Sequence, residues 1–217
     1  MLPGMKRWPY RLWLLIVVVA ALVVGCIGPT SAFDTALQHI PTVIALGLFI
    51  WTSRRWPLSD LSYTLLAAFF LLHILGAHYL YSNVPYDDWF KSMTGRTLNG
   101  IFGWERNHFD RLVHLSFGVL AAPVLFEIGW RHAGLKKPFW AALLAVGVVS
   151  LFGNIYEVAE WGIAITMSEE NAEEYNGQQG DVFDPQKDLA LSFAGSVLTA
   201  GVCVWKWPRR SGAPARQ

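Results

Sequence analysis

Charged residues are scarce in this sequence: they account for 15% of its 217 residues, against about 25% in an average soluble domain. Cysteine is scarcer still, and the two that occur, Cys26 and Cys203, each lie within a long apolar run. Two isolated cysteines exclude a disulfide framework and a paired CxxC zinc site. The composition therefore argues against both a highly charged soluble domain and a disulfide-linked secreted one.

Short catalytic and nucleotide-binding motifs are absent as well. The sequence contains no HExxH, GxSxG, Walker or GxGxxG pattern, and residues 181–188 lack the alternating ligands and central glycine of an EF-hand loop. The basic residues stand at the ends of apolar runs, where they serve to orient membrane spans. The sequence therefore predicts no nucleic-acid partner.

Hydrophobic residues, in contrast, make up 53% of the chain. They are concentrated in six runs, each close to the roughly 20 residues that a helix needs to cross the hydrocarbon core of a bilayer. No intervening segment is long enough for a second domain. We therefore predict one all-α membrane domain over residues 1–217, a bundle of six transmembrane helices in contact with membrane lipids. The predicted spans are residues 12–28, 36–52, 61–81, 112–130, 138–161 and 189–207.

The positions of lysine and arginine predict the orientation of this bundle, because basic residues near span ends mark the cytoplasmic side. Twelve of the 17 basic residues lie at the termini and at every second connection: Lys6, Arg7, Arg11, Arg54, Arg55, Arg131, Lys136, Lys137, Lys206, Arg209, Arg210 and Arg216. The other five lie on the opposite side: Lys91, Arg96, Arg106, Arg111 and Lys187. The pattern predicts that both termini are cytoplasmic.

The first run has a second interpretation. Basic residues, an apolar stretch and then VVGC, which ends at Cys26, are similar to a lipoprotein signal peptide with a lipidated cysteine. In that case the mature chain would have five spans instead of six. The run continues past Cys26 and five further runs anchor the chain, so we prefer six spans.

Three of the runs carry their ionisable residues on the same helical face as their small residues. Small residues let membrane helices pack closely, so this shared face is expected to look into the bundle. The residues concerned are Asp110, His114, Gly118, Ala121 and Ala122 around the fourth run, Ala141, Ala145, Gly153, Glu157 and Glu160 in the fifth, and Asp188, Ser192, Gly195, Ser196 and Thr199 around the sixth.

Because a helix rises about 1.5 Å per residue, these ionisable residues should lie in one shallow layer at the non-cytoplasmic boundary. His78, near the end of the third run, should lie in the same layer. His73 lies deeper and on a different face. Clustered imidazole and carboxylate groups suit a divalent cation such as zinc, manganese or magnesium, or a proton relay. The candidate metal ligands are His78, Asp110, His114, Glu157, Glu160 and Asp188, and the candidate catalytic residues are Asp110, His114, Glu157 and Glu160.

Each of these residues also has a structural interpretation. Asp110 and His114, four positions apart, are compatible with a simple hydrogen-bonded pair, and Asp188 is favoured by a helix N-terminus whatever its function. Glu160 is close enough to the end of its run to reach lipid headgroups or water. Asp184, followed by Pro185, suits an N-cap.

Three segments, ERNHFDRLVHLSFG, NIYEVAEW and QQGDVFDPQKDLALSFAG, carry a family resemblance. With them the chain resembles the YjdF-type bacterial inner-membrane proteins, a family defined by a domain of unknown function. The resemblance covers the third to sixth runs. It implies a multi-pass protein of the bacterial inner membrane and supplies no activity or catalytic residue. Lys187 stands where this family usually has an aromatic residue.

The sequence leaves three functions open. The first is an intramembrane enzyme whose outward-facing site holds a metal-activated water, or an acid–base group, that acts on a lipid or envelope precursor. The second is a small cation- or proton-coupled transporter that uses the same carboxylates. The third is a structural or accessory membrane protein in which the polar residues only lock helices together.

Overall fold

The structure, a computed structural model, describes residues 8–206. The basic residues Lys6, Arg7, Arg209, Arg210 and Arg216 of the topology prediction lie outside this range. The described part of the chain is helical and contains no strand. Its helices are α1 (Trp8–Gly25), α2 (Ala32–Arg55), α3 (Asp60–His78), α4 (Tyr86–Thr94), α5 (Leu98–Phe102), α6 (Phe109–Arg131), α7 (Pro138–Ala164), α8 (Glu169–Asn176) and α9 (Asp184–Lys206).

The predicted all-α membrane bundle is confirmed by six long apolar helices, α1, α2, α3, α6, α7 and α9. Five of them are long and apolar enough to cross a membrane, and α1 is a shorter apolar helix whose C-terminal end precedes the exposed Cys26. The helix bounds differ from the predicted spans by at most five residues, and α1 and α2 each begin four residues early, at Trp8 and Ala32. Helix α9 begins at Asp184, five residues early, and α3 ends at His78 because Leu80 and Tyr81 have positive φ angles of 50° and 53°.

The connections define two ends of the bundle. At one end, which we call the basic end, Arg11 binds Asp60 at 3.1 Å and the His132 ring lies 3.3 Å from the Pro57 carbonyl. At the other end, the acidic end, the His78 ring lies 2.9 Å from the carbonyl oxygen of Gly25. Helices α1 and α3 are thus tied together at both ends and run parallel, and α2, which connects them in the chain, runs in the opposite direction.

Helices α6, α7 and α9 form the tightest part of the bundle. A Cβ atom at Gly118 of α6 would collide with the carbonyl oxygen of Ser192, and one at Gly195 of α9 would come within 2.8 Å of the carbonyl oxygen of Leu115. The two backbones are therefore in direct contact. On α7, Ala141 and Ala145 are completely buried. The inward-facing stripes of small residues predicted for these three helices are confirmed.

Helix α2 is packed much less closely. It lies along α3, held by hydrogen bonds such as the one from Thr35 Oγ1 to the Ala77 carbonyl oxygen at 3.0 Å. Its other faces are largely exposed, with Ile44 and Leu48 exposing 57% and 56% of their surface. In a membrane these faces contact lipid.

Candidate functional site

Four of the predicted site residues converge at the acidic end of α6, α7 and α9. The Nε2 atom of His114 lies 3.6 Å from Oδ1 of Asp110 and 3.6 Å from Oε1 of Glu157. Asp188 joins from α9, and one ligand atom each from Asp110, His114 and Asp188 lie within 4.8 Å of one another. We call these four residues the acid–imidazole cluster.

The cluster is buried and incompletely hydrogen-bonded. Asp188 exposes 2% of its surface, and the side chains of Glu157 and His114 each expose 10%. Two of the three acids, Asp188 and Glu157, each have one buried carboxylate oxygen without a hydrogen-bond partner among the described residues. These oxygens are Oδ1 of Asp188 and Oε1 of Glu157. Buried carboxylate oxygens are costly unless they bind a proton, a donor or a cation. These two oxygens can therefore still accept a proton, a hydrogen-bond donor or a cation.

Helical spacing explains why these residues meet. Asp110 and His114 are one turn apart at the start of α6, and Gly118, a further turn along, brings the α9 backbone into contact. On α9, Asp188 is one turn before Ser192, the residue that Gly118 touches. The glycine contact therefore sets the distance between His114 and Asp188. Glu157 reaches the same point from α7, four residues after the buried Gly153.

Two predicted site residues lie elsewhere. The Nδ1 atom of His78 lies 2.9 Å from the Gly25 carbonyl oxygen, so this ring faces α1 and is turned away from the cluster. Glu160 is one turn beyond Glu157, and its carboxyl group borders the side chains of Tyr156 and Gln38. Tyr156 in turn donates a 2.5 Å hydrogen bond to Oε1 of Gln38. Glu160 therefore lies beside the cluster, close enough to interact with the carboxyl groups of Asp110 and Glu157, while its hydrogen-bond partners join α7 to α2.

A group of ion pairs that sequence reasoning did not assemble lies directly outside the cluster. Arg106 binds both carboxylate oxygens of Asp184, at 2.6 and 3.1 Å, and Arg111 contacts the same carboxylate at 3.1 Å. Asp181 is bound by Arg111 and by Lys187, the latter at 2.5 Å. We call these five residues the ionic clasp. The clasp joins the loop before α6 and the first turn of α6 to the start of α9. The sequence suggested Asp184 as an N-cap, and its carboxylate instead binds Arg106 and Arg111.

Charge in the clasp shifts the pKa of groups in the loops. The hydrogen bond from Lys187, supported by Arg111, lowers the pKa of Asp181 from 3.8 to about 2. Burial, with the positive charges of Arg111 and Arg106, lowers the pKa of His108 below its usual value. Asp181 of the clasp is therefore ionised near neutral pH.

A second polar network lies deeper, around the side chain of His73. Its Nε2 atom is 2.6 Å from Oγ1 of Thr42, and its Nδ1 atom is 2.5 Å from the hydroxyl of Tyr81. The neighbouring His39 is buried, and neither of its ring nitrogens has a hydrogen-bond partner among the described residues. The depth of His73 was evident from the sequence. Its partners were not, because Thr42 and Tyr81 are common residues in unrelated segments.

Fold and site together define a polytopic helical membrane protein with a buried acid–imidazole cluster. Residues 10–209 match a family described as "Predicted membrane protein (DUF2238)", and the chain belongs to this family. Among characterised sequences it is similar to the inner membrane protein YjdF of Escherichia coli strain K12, at 31% identity over 163 residues, 75% of this chain and 74% of that protein. No solved structure matches the chain.

These relationships agree with the family resemblance noted in the sequence. The protein is a multi-pass protein of the bacterial inner membrane, and neither description assigns it an activity.

Proposed function

We propose that this protein is a metal-dependent intramembrane hydrolase whose site is the acid–imidazole cluster. The observation that carries the proposal is the convergence of one imidazole and three carboxylates from three helices. Ionisable groups inside membrane bundles usually mark a functional site. The unpartnered oxygens of Asp188 and Glu157 supply a second, independent reason to expect a cation there.

The spacing of the ligand atoms favours zinc. With metal–ligand distances of about 2.1 Å, tetrahedral geometry separates neighbouring ligand atoms by about 3.4 Å. His114 Nε2 is 3.6 Å from an oxygen of Asp110, and one ligand atom each of Asp110, His114 and Asp188 lie within 4.8 Å of one another. Manganese accepts the same nitrogen and oxygen donors with more ligands. Asp110, His114 and Asp188 would hold the ion, which would make its bound water acidic enough to act as a nucleophile near neutral pH.

Glu157 is the residue best placed to move the proton. Its Oε1 atom faces His114 and lacks a hydrogen-bond partner, so it can accept a proton from the attacking water. The water oxygen then bonds to the carbonyl carbon or phosphorus of the substrate. The bond to the leaving oxygen breaks, and that oxygen takes the proton from Glu157.

The side of the membrane follows from the basic residues. Arg54, Arg55 and Arg131 lie at the basic end of the bundle, and the cluster lies at the opposite end. Basic residues are retained on the cytoplasmic side. In the proposed topology the cluster therefore faces outward, and both termini lie in the cytoplasm.

Metal analysis of the purified protein tests this function. Protein purified in detergent without chelator should retain close to one zinc or manganese ion per chain. Asp110→Asn, His114→Ala and Asp188→Asn should each lower this content at least tenfold, whereas Asp88→Asn, which changes an exposed acid at the same end, should leave it unchanged.

All variants are first compared by size-exclusion profile and melting temperature. Folded wild-type protein that holds no metal after dialysis against zinc and manganese would refute a metal enzyme. Cluster variants that are all unfolded would instead indicate that the cluster only locks the helices together.

A second candidate, proton-coupled transport, has one observation in its favour. The hydrogen-bonded sequence Thr42, His73 and Tyr81 runs from the depth of the bundle toward the acidic end. In liposomes, a transporter would acidify or alkalinise the lumen when a gradient is applied, and His73→Gln would abolish this flux without changing metal content. The hydrolase proposal expects no such flux.

A further inference from the structure

A long cavity leads from the acid–imidazole cluster toward the basic end, between α2, α3 and α6. It has a volume of about 500 Å³. Asp110 and His114 line one end, and Trp56, Leu58 and Ile128 line the other. A volume of this size is typical of sites for small ligands. The cavity is therefore continuous with the proposed site and extends well beyond it.

The shape of the cavity suits a chain. His114 and Ile128 are fourteen residues apart on α6, a distance of about 21 Å along the helix. A volume of about 500 Å³ over this length gives a mean cross-section of about 24 Å². The distance of about 21 Å between His114 and Ile128 is about two-thirds of the hydrocarbon thickness of a bilayer. A compact ring system would leave most of such a space empty, whereas an extended hydrocarbon chain would fill it.

The cavity wall is polar at the end near the cluster and mostly apolar along the rest of its length. Beyond the cluster, the wall polar groups already have partners: Thr42 and His73 contact each other at 2.6 Å, and Ser53 donates to the Ile50 carbonyl oxygen at 2.9 Å. The cluster residues that line the cavity, Asp110 and His114, lie at one end of it, and the unpartnered oxygens of Glu157 and Asp188 belong to the same cluster without lining the cavity. An occupant should therefore be polar at that end and apolar along the rest of its length.

The cavity also opens sideways. Pro41 of α2 and Phe152 of α7 both line it, yet both are exposed on the outside of the bundle, Phe152 by 56%. Trp56, at the far end, is 45% exposed. These faces of an inner-membrane bundle contact acyl chains, so a membrane lipid can enter through the gap between α2 and α7 without passing through water.

We infer that the cavity binds a single hydrocarbon chain of an amphiphile drawn from the bilayer, with its head group at the acid–imidazole cluster and its chain end near Trp56. This inference names the substrate class of the proposed hydrolase and rests on that function for its chemistry. Chain binding itself does not need the metal, so the two can be tested separately.

Photolabelling in nanodiscs tests the inference. The probe is a monoacylglycerol whose saturated chain carries a diazirine, either beside the head group or at the chain end. Its uncharged head avoids repulsion by the carboxylates. The first probe should label peptides near Val113, and the second should label peptides near Leu58 and Ile128. Labelling should be the same after removal of metal with EDTA.

Matched variants separate the cavity from the lipid annulus. Ala45→Phe places a ring inside the cavity and should reduce internal labelling at least tenfold. Ala36→Phe makes the same change on an exposed position of the same helix and should have no effect. Val113→Phe provides a second blocking variant should Ala45→Phe fail to fold.

The outcomes are distinct. Labelling confined to exposed residues such as Val43, and equal in blocked and control variants, would overturn the inference even if the metal is present. Internal labelling in a protein that binds no metal would support the inference while refuting the hydrolase.

Discussion

The two halves of this bundle are built in opposite ways. In the half formed by α6, α7 and α9, backbones touch at Gly118 and Gly195, and three helices bring charged groups to one buried point. In the half formed by α1, α2 and α3, α2 lies along α3 with most of its surface exposed, and a cavity separates it from α6. One half holds atoms in fixed positions, and the other leaves space.

This difference matches what each half would have to do in a lipid hydrolase. Catalytic and metal-binding groups must be held within a fraction of an ångström, which requires supporting contacts that do not move. Entry of a lipid requires the reverse, a wall with few contacts to lose. Membrane helices gain little from apolar contact with one another, because lipid is equally apolar, so close packing of small residues determines which half is rigid.

The largest expected effect comes from a side chain between α6 and α9. Gly118→Val would force the α9 backbone away from α6 at Ser192, and we expect a loss of about 3 kcal/mol or more in the free energy of unfolding. Gly47→Val on α2, where no atom lies within 4 Å of an added Cβ, should change it by less than about 0.5 kcal/mol. SDS titration of the detergent-solubilised protein, followed by circular dichroism, measures both. Equal losses would show that the halves do not differ.

An intermediate effect is expected for the ion pairs of the two halves. Asp184, 2% exposed, binds Arg106, so Asp184→Asn leaves a buried guanidinium poorly paired and should cost about 3 to 5 kcal/mol. The pair of Arg11 with Asp60 is more exposed, at 23% and 36%, and Asp60→Asn should cost about 1 kcal/mol or less. The same SDS titration compares them. A similar cost for both would mean that the clasp does not hold α6 to α9.

The smallest effect is a pH dependence of the clasp. The pKa of Asp181 is lowered from 3.8 to about 2, first by Lys187 and then by Arg111, so its contribution is complete above pH 4 and is lost as the pH falls toward 2. Asp181→Asn should remove this component from the stability measured between pH 4 and pH 2, and Lys187→Met should reduce it. Lys91→Met, at an exposed lysine of α4, should retain it. Thermal melting at each pH provides the measurement.

The rigid half was largely predictable from the sequence. Small and ionisable residues repeated at helical spacing, so a shared face could be deduced before the helices were placed, and His114, Asp110, Glu157 and Asp188 do meet. The metal at their centre stays a prediction. His78 satisfies the depth estimate but faces α1, because a depth counted along one helix gives no information about the neighbour that helix faces.

The open half was not predictable. A cavity is formed by residues that have no special pattern, and its existence depends on how far α2 stands from α6. The ionic clasp did leave a signal: Arg106, Arg111 and Lys187 are basic residues on the side where basic residues are rare. In a chain whose basic residues otherwise follow membrane orientation, such exceptions indicate acidic partners nearby. Asp181 and Asp184 lie in the segment that leads into α9.

Helix α2 contains Pro41 at the side opening of the cavity. Proline has no amide hydrogen, so the carbonyl of the residue one turn earlier, Leu37, has no backbone partner from position 41. The segment before Pro41 is held by the hydrogen bonds from Thr35 to Ala77 and from Tyr156 to Gln38, so the missing bond lets the segment after Pro41 tilt relative to it. The width of the lipid entrance is then set by the hinge angle of one helix, while the atoms of the acid–imidazole cluster, anchored on three other helices, keep their positions.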